Sequence, residues 1–285
     1  MVAAVGSNVS GFKAGDKVAL EVGLPCGSCA RCNEGRYNIC KELKFRSSGK
    51  SFPHFQGTLQ ERINHPAKWC YKLPDEVGLD VGALLEPLGV ALHAFRRSLM
   101  PKNATVVVYG AGAVGLLCAA VAKVKGAGKV IIADIDQGRL DFAVQNGFAH
   151  ASYLVPMKRG KDMDENLAIA KETAAAIGKV ENVGEVDVVF ECTGVPSCVQ
   201  AGIFVSWFHC GSRSDKANLA NSQRNLVAAS CLWVWATRSR LSPSALQLCE
   251  KSTSSASSGT RTHTLRALRS SRRVSRIPTA LLSAS

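Results

Sequence analysis

The stretch ATVVVYGAGAVGLLCAAVAKVKG, residues 104–126, carries no charge from Ala104 to Ala122. An apolar run of that length raises a membrane span as one reading. Gly110, Gly112 and Gly115 interrupt it, however, and its character changes midway from β-branched residues to Ala and Leu. A strand, a tight turn and a buried helix account for that change better. Taken alone, G-A-G-A-V-G is a weak motif. Its context strengthens it, because VVVY precedes it, a helical pattern follows, and KVIIADID supplies a second apolar strand ending in acid.

In that context each residue acquires a role. Gly110 allows the tight turn, Gly112 lets a pyrophosphate approach the backbone, and Gly115 lets the helix pack on the strand. The N-terminus of the helix presents unpaired N–H groups to phosphate oxygens. Asp134, ending the second strand, stands where a carboxylate accepts hydrogen bonds from the adenosine ribose hydroxyls. A carboxylate there repels a 2′-phosphate, so the expected coenzyme is NAD rather than NADP. Further strands are legible at residues 151–155 and in VDVVFECTG, residues 186–194, with a surface helix in the Lys-, Glu- and Ala-rich segment between them. Alternation of strands and helices predicts an α/β fold with a Rossmann-type, doubly wound parallel sheet. About four of its six strands can be read, and nothing after Phe204 reads as the fifth or sixth.

Upstream, CGSCARCNEGRYNIC, residues 26–40, holds Cys26, Cys29, Cys32 and Cys40. Eleven cysteines would suggest disulfides in a secreted chain, yet the opening MVAAVGSNVSGF lacks the basic and apolar regions of a signal peptide. A reducing compartment, the cytoplasm, is therefore expected, and there this spacing points to metal. Four thiolates wrapping one zinc ion leave no open coordination position, so such an ion would brace the loop and perform no catalysis. His54, His65 and His93 are scattered and read as surface or core residues, and Cys70 reads as a packed thiol.

The four-cysteine loop, GAGAVGLL, VIIADID and VFECTG, in this order and spacing, resemble the zinc-containing medium-chain dehydrogenases, from about Val2 to Phe204. LEPLGVALHA around Glu86 is similar to the sorbitol and xylitol dehydrogenase branch, where Glu replaces a cysteine that alcohol dehydrogenases place near a catalytic zinc. The resemblance implies a partial GroES-like, β-rich catalytic domain at residues 1–96 and a partial NAD-binding domain at residues 97–204, with a polyol substrate between them. It also implies a catalytic zinc that polarises the hydroxyl being oxidised, so that hydride passes to the nicotinamide. The family draws that zinc's ligands largely from a Cys and a His-Glu pair N-terminal to the region matched by Val2. Glu86 is the one recognisable member here, so the chain is expected to be shortened at its N-terminus and impaired as a polyol dehydrogenase. The family's homo-oligomer is not carried over, and missing sheet strands would expose an edge that invites aggregation. A noncatalytic zinc- and nucleotide-binding remnant is the alternative.

After Phe204 the composition changes. Residues 205–285 hold twelve Lys and Arg against Asp215 and Glu250, so they carry +10 of the net +13 and leave +3 for the rest. This Ser- and Arg-rich tail is expected to be disordered. A nucleic-acid-associated protein led by the tail is a second alternative, set aside for want of an aromatic platform or folded module beside it. Val205-Ser206 can be encoded as a splice donor and Asn221-Ser222 can supply an acceptor. A shifted frame beyond them lets residues 226–235 and 242–264 read as the family's two missing strands. The tail is thus expected to derive from a retained intron and a frameshifted exon.

Overall fold

The computed structural model describes residues 1–46, 52 and 54–207. The expectations for the tail beyond Trp207 lie outside the described residues. The chain divides into two compact units, with the boundary between Glu86 and Pro87.

The first unit is built from short elements. Strand β1 (Val18–Leu20) pairs antiparallel with β4 (Cys70–Lys72), and β2 (Gly23–Leu24) pairs antiparallel with β3 (Lys44–Phe45). Helix α1 (Ala30–Asn33) and a 3-10 turn at Tyr37–Ile39 shape the cysteine loop between β2 and β3. Tyr37 and Trp69 pack their rings 5.2 Å apart, and Lys72 reaches Asp16 at 2.8 Å. Helix α2 (Leu79–Ala83) lays Gly82 against Leu73, where a Cβ would come within 2.6 Å of a Leu73 methyl. Helix α3 (Leu85–Ser98) then carries the chain across the boundary, burying Leu88, Ala91, Ala94 and Ser98 along one face. The LEPLGVALHA sequence around Glu86 forms most of this helix.

The second unit is organised by one parallel sheet. Its strands are β5 (Thr105–Tyr109), β6 (Lys129–Asp134), β7 (Ala151–Leu154) and β8 (Val188–Glu191), in spatial order β7-β6-β5-β8. Helices α4 (Ala113–Val124), α5 (Gln137–Gln145), α6 (Met163–Lys179) and α7 (Pro196–Trp207) follow the four strands in turn. Val106, Val107, Val108 and Tyr109 are all fully buried because helices cover both faces, which explains the unbroken apolar run in β5. Val107, Tyr109, Ile131 and Val189 pack with Ala170, Ala174 and Ile177 of α6 and Ala201 and Val205 of α7. Helix α7 thus continues past Phe204, the residue where the composition shifts. No helix among the described residues is long and apolar enough to cross a membrane; the run at residues 104–126 is strand, turn and helix.

Candidate functional site

Strand order reverses at β5, with β6 and β7 on one side and β8 on the other. The crevice beyond the carboxyl ends of β5 and β8 is where open α/β sheets take ligands. The glycine loop lies there. Gly110 has φ 95, and its N–H donates to the Ala133 carbonyl at 2.7 Å. A Cβ on Gly115 would fall 1.8 Å from the Gly110 carbonyl oxygen, so helix α4 meets the loop at a distance only glycine permits. Gly112 caps α4 in an extended conformation, and a Cβ there would meet nothing within 4 Å. Open space on that side and the free N–H groups of the first helical turn are what an anionic ligand requires.

Asp134 is nearly buried at the end of β6. Its Oδ2 accepts from the Ala111 N–H at 2.6 Å and its Oδ1 from the Asp136 N–H at 3.0 Å. The carboxylate therefore holds the glycine loop in shape, a role not read from the sequence, and each oxygen keeps a lone pair for another donor. On the opposite side of β5, Glu191 of β8 is 3% exposed and bonds to its own turn. Burial raises its carboxyl above the usual range even though Thr193 and Gly194 donate to it. Only its place in VFECTG, an acid closing an apolar strand, could have flagged it. Cys118 of α4 and Cys192 lie 3.9 Å apart beneath this crevice. The hydrogen bond that Cys192 donates to the Cys118 sulfur, and then burial, hold the Cys192 thiol well above its ordinary value.

In the first unit the fold brings the four loop cysteines together, with all their sulfurs within 4.8 Å of one another. The Sγ–Sγ separations are 3.9 Å for Cys26–Cys32, 3.5 Å for Cys29–Cys32, 3.8 Å for Cys29–Cys40 and 3.6 Å for Cys26–Cys40. Tetrahedral zinc with Zn–S bonds of about 2.3 Å requires edges of about 3.8 Å, so this cage fits the ion. Backbone N–H groups of Cys29 and Cys26 point at the sulfurs of Cys26 and Cys40. Amides of Ser28 and Cys29 lower the Cys26 thiol, whereas desolvation raises Cys32.

Glu86 sits in the first turn of α3, its carboxyl raised by desolvation. Glu21 stands near it; burial, and then the Glu86 charge, raise Glu21 as well. Burial and Glu21 together push the Tyr37 phenol up to about 12. Among the described residues the four cysteines are the only group of three or more His, Cys, Asp or Glu side chains placed to share an ion. Glu86 is outside that group, and a second zinc does not fit the ligands present around it. His65 uses one ring nitrogen against the Glu21 carbonyl at 3.1 Å, and burial lowers it.

Two family models match the chain: the alcohol dehydrogenase GroES-like domain over residues 1–75, and the zinc-binding dehydrogenase domain over residues 113–206. The chain belongs to the zinc-containing medium-chain dehydrogenase family. Among curated relatives, this medium-chain dehydrogenase is 42% identical over 206 residues to "Probable D-xylulose reductase A" of Neosartorya fischeri, covering 72% of this chain and 53% of the relative. Galactitol-1-phosphate dehydrogenase of Escherichia coli is a structural neighbour at TM-score 0.58 and 28% identity, with 72% of this chain and 54% of that one covered. A Sinorhizobium meliloti structure described as a zinc-binding dehydrogenase and bound to NADP aligns at TM-score 0.58 and 30% identity, covering 69% and 53%. The chain thus spans about half the length of the curated relatives it matches. Zinc is supported by both domain matches.

Proposed function

We propose that this chain is a polyol-dehydrogenase-type protein that binds NAD at the β5–β8 crevice and one structural zinc at Cys26, Cys29, Cys32 and Cys40. The complete reaction of its type is oxidation of a sorbitol- or xylitol-like polyol to a ketose, carried out in the cytoplasm. The observation that carries the coenzyme reading is the strand–loop–helix junction. Gly115 brings α4 against the Gly110 carbonyl, Gly112 leaves room for the pyrophosphate, and Asp134 waits at the end of β6. Zinc at the thiolates ties residues 26–40 into one knuckled loop and offers no coordination position to substrate. Turnover needs a second metal, and Glu86 alone cannot hold one, so we infer that this chain binds coenzyme and zinc without oxidising polyol at a measurable rate.

Three measurements on the purified chain separate these statements. Native mass spectrometry is expected to find about one zinc per chain. A direct titration is expected to show tighter binding of NAD than of NADP, and the opposite order would sink the role given to Asp134. NADH formation from sorbitol or xylitol should be undetectable; zinc-dependent formation abolished by Glu86→Gln would overturn the inference of inactivity.

A further inference from the structure

The glycine loop is held from two sides, and the second hold belongs to a residue with no role so far. On the β6 side Asp134 takes the Ala111 N–H. On the β8 side the chain leaves Glu191 through Cys192, Thr193 and Gly194, and this turn presses on Gly110. A Cβ on Gly110 would lie 3.1 Å from the Thr193 methyl carbon and 3.3 Å from the Cys192 carbonyl oxygen. The Cys192 N–H is committed to the Tyr109 carbonyl at 2.9 Å, so the turn starts from a fixed point beside the loop.

What shapes the turn is the Glu191 side chain folding forward over its own backbone. Its oxygens accept from the Thr193 N–H at 2.8 Å, from the Gly194 N–H at 3.0 Å and from the Thr193 hydroxyl. That hydroxyl oxygen in turn accepts the Val195 N–H at 3.0 Å. One buried carboxylate therefore holds two consecutive amides and a hydroxyl directly, and a third amide through that hydroxyl. A carboxylate left in an apolar strand end is costly to bury unless its acceptors are satisfied. Its retention there is accounted for by the geometry it imposes.

We propose that Glu191 is a positioning residue for the coenzyme: by fixing the Cys192–Gly194 turn against Gly110, it sets the β8 wall of the crevice at the width a nicotinamide dinucleotide needs. This rests on the coenzyme reading above. Asp134 and Glu191 then act as a pair of struts, one on each neighbour of β5. Loss of the second strut lets the turn relax and costs binding without any lost contact to the ligand.

The test is fluorescence titration of the full chain with NADH, alongside thermal unfolding. Glu191→Gln keeps the shape but turns an N–H group toward the Gly194 N–H; it is expected to weaken NADH binding about tenfold, the scale of a disrupted charged hydrogen bond. Binding equal to wild type in a folded Glu191→Gln chain overturns the proposal. If that variant does not fold, Thr193 decides. Thr193→Val, which keeps a methyl toward Gly110 but lacks the hydroxyl, should bind NADH several-fold more weakly than wild type, and Thr193→Ser, which keeps the hydroxyl, should bind more tightly than Thr193→Val; Thr193→Val binding as wild type refutes the strut. A wild-type chain that binds neither NADH nor NADPH would remove the coenzyme reading itself, and this proposal with it.

Discussion

The two units differ in what holds them together. In the second, the strands β5, β6 and β8 lie under helices, and long stretches such as Val106–Tyr109 and Val130–Ile132 are entirely removed from water. In the first, Cys40 and Leu73 are the apolar side chains among the described residues that reach burial, accompanied by the guanidinium of Arg46. Its strands are two or three residues long and form two separate two-stranded pairs. Pairs of that size are marginal without a shared apolar face. Hydrophobic burial can sustain the second unit; the first lacks the core for it and must draw its order from a cross-link. The zinc proposed at the four-thiolate cage would supply one, because metal binding to ligands assembled only in the folded state contributes directly to folding.

The largest effect expected from this difference is on metal removal. Chelation, or Cys40→Ala, should erase hydrogen-exchange protection around β2, α1 and β3 while leaving β5, β6 and β8 protected, since structural zinc is worth about 10 kcal/mol in small zinc modules. Simultaneous loss of protection in both units would break the contrast drawn here.

Glycine replacements in the second unit sharpen the contrast from the other side. Gly115→Ala drives a methyl into the Gly110 carbonyl, where neither backbone can yield. A loss of about 3 kcal/mol in urea unfolding, at the upper end of overpacking costs, is expected, together with loss of dinucleotide binding. Gly112→Ala meets open space, and an N-cap change of this kind shifts stability by only about 1 kcal/mol or less. It should nevertheless weaken dinucleotide binding, because the methyl occupies the approach to the backbone. Equal stability losses in the two variants would show that α4 does not sit against the loop as described.

The smallest effect is an acid response confined to the second unit's edge. His150 accepts the Val130 N–H on its Nδ1 at 2.9 Å, and burial, then Lys123, lower its pKa below the ordinary 6.5. The folded state thus binds fewer protons than the unfolded one just below pH 6.5. Stability from this residue is complete above that pH and is lost as pH falls toward the lowered value. His150→Ala should flatten that part of the stability profile, and an unchanged slope would remove the assignment.

Much of this protein was legible because its signals are local. Strand, glycine loop and helix follow one another within residues 104–126, and the four cysteines fall within fifteen residues, so spacing alone carried both readings. The β7 and β8 segments were legible for the same reason, as apolar runs bounded by polar ones. What tertiary structure decided involves partners far apart in the chain. Asp134 grips Ala111 twenty-three residues away; Thr193 leans on Gly110, and Cys118 meets Cys192 seventy-four residues on. The order β7-β6-β5-β8, which turns separate motifs into one crevice, is likewise invisible in any single motif. The thin core of the first unit also escaped the sequence, where its Val, Leu and Phe content looks ordinary. Composition records which side chains favour burial, and only the packed chain determines which of them find enough neighbours to leave water.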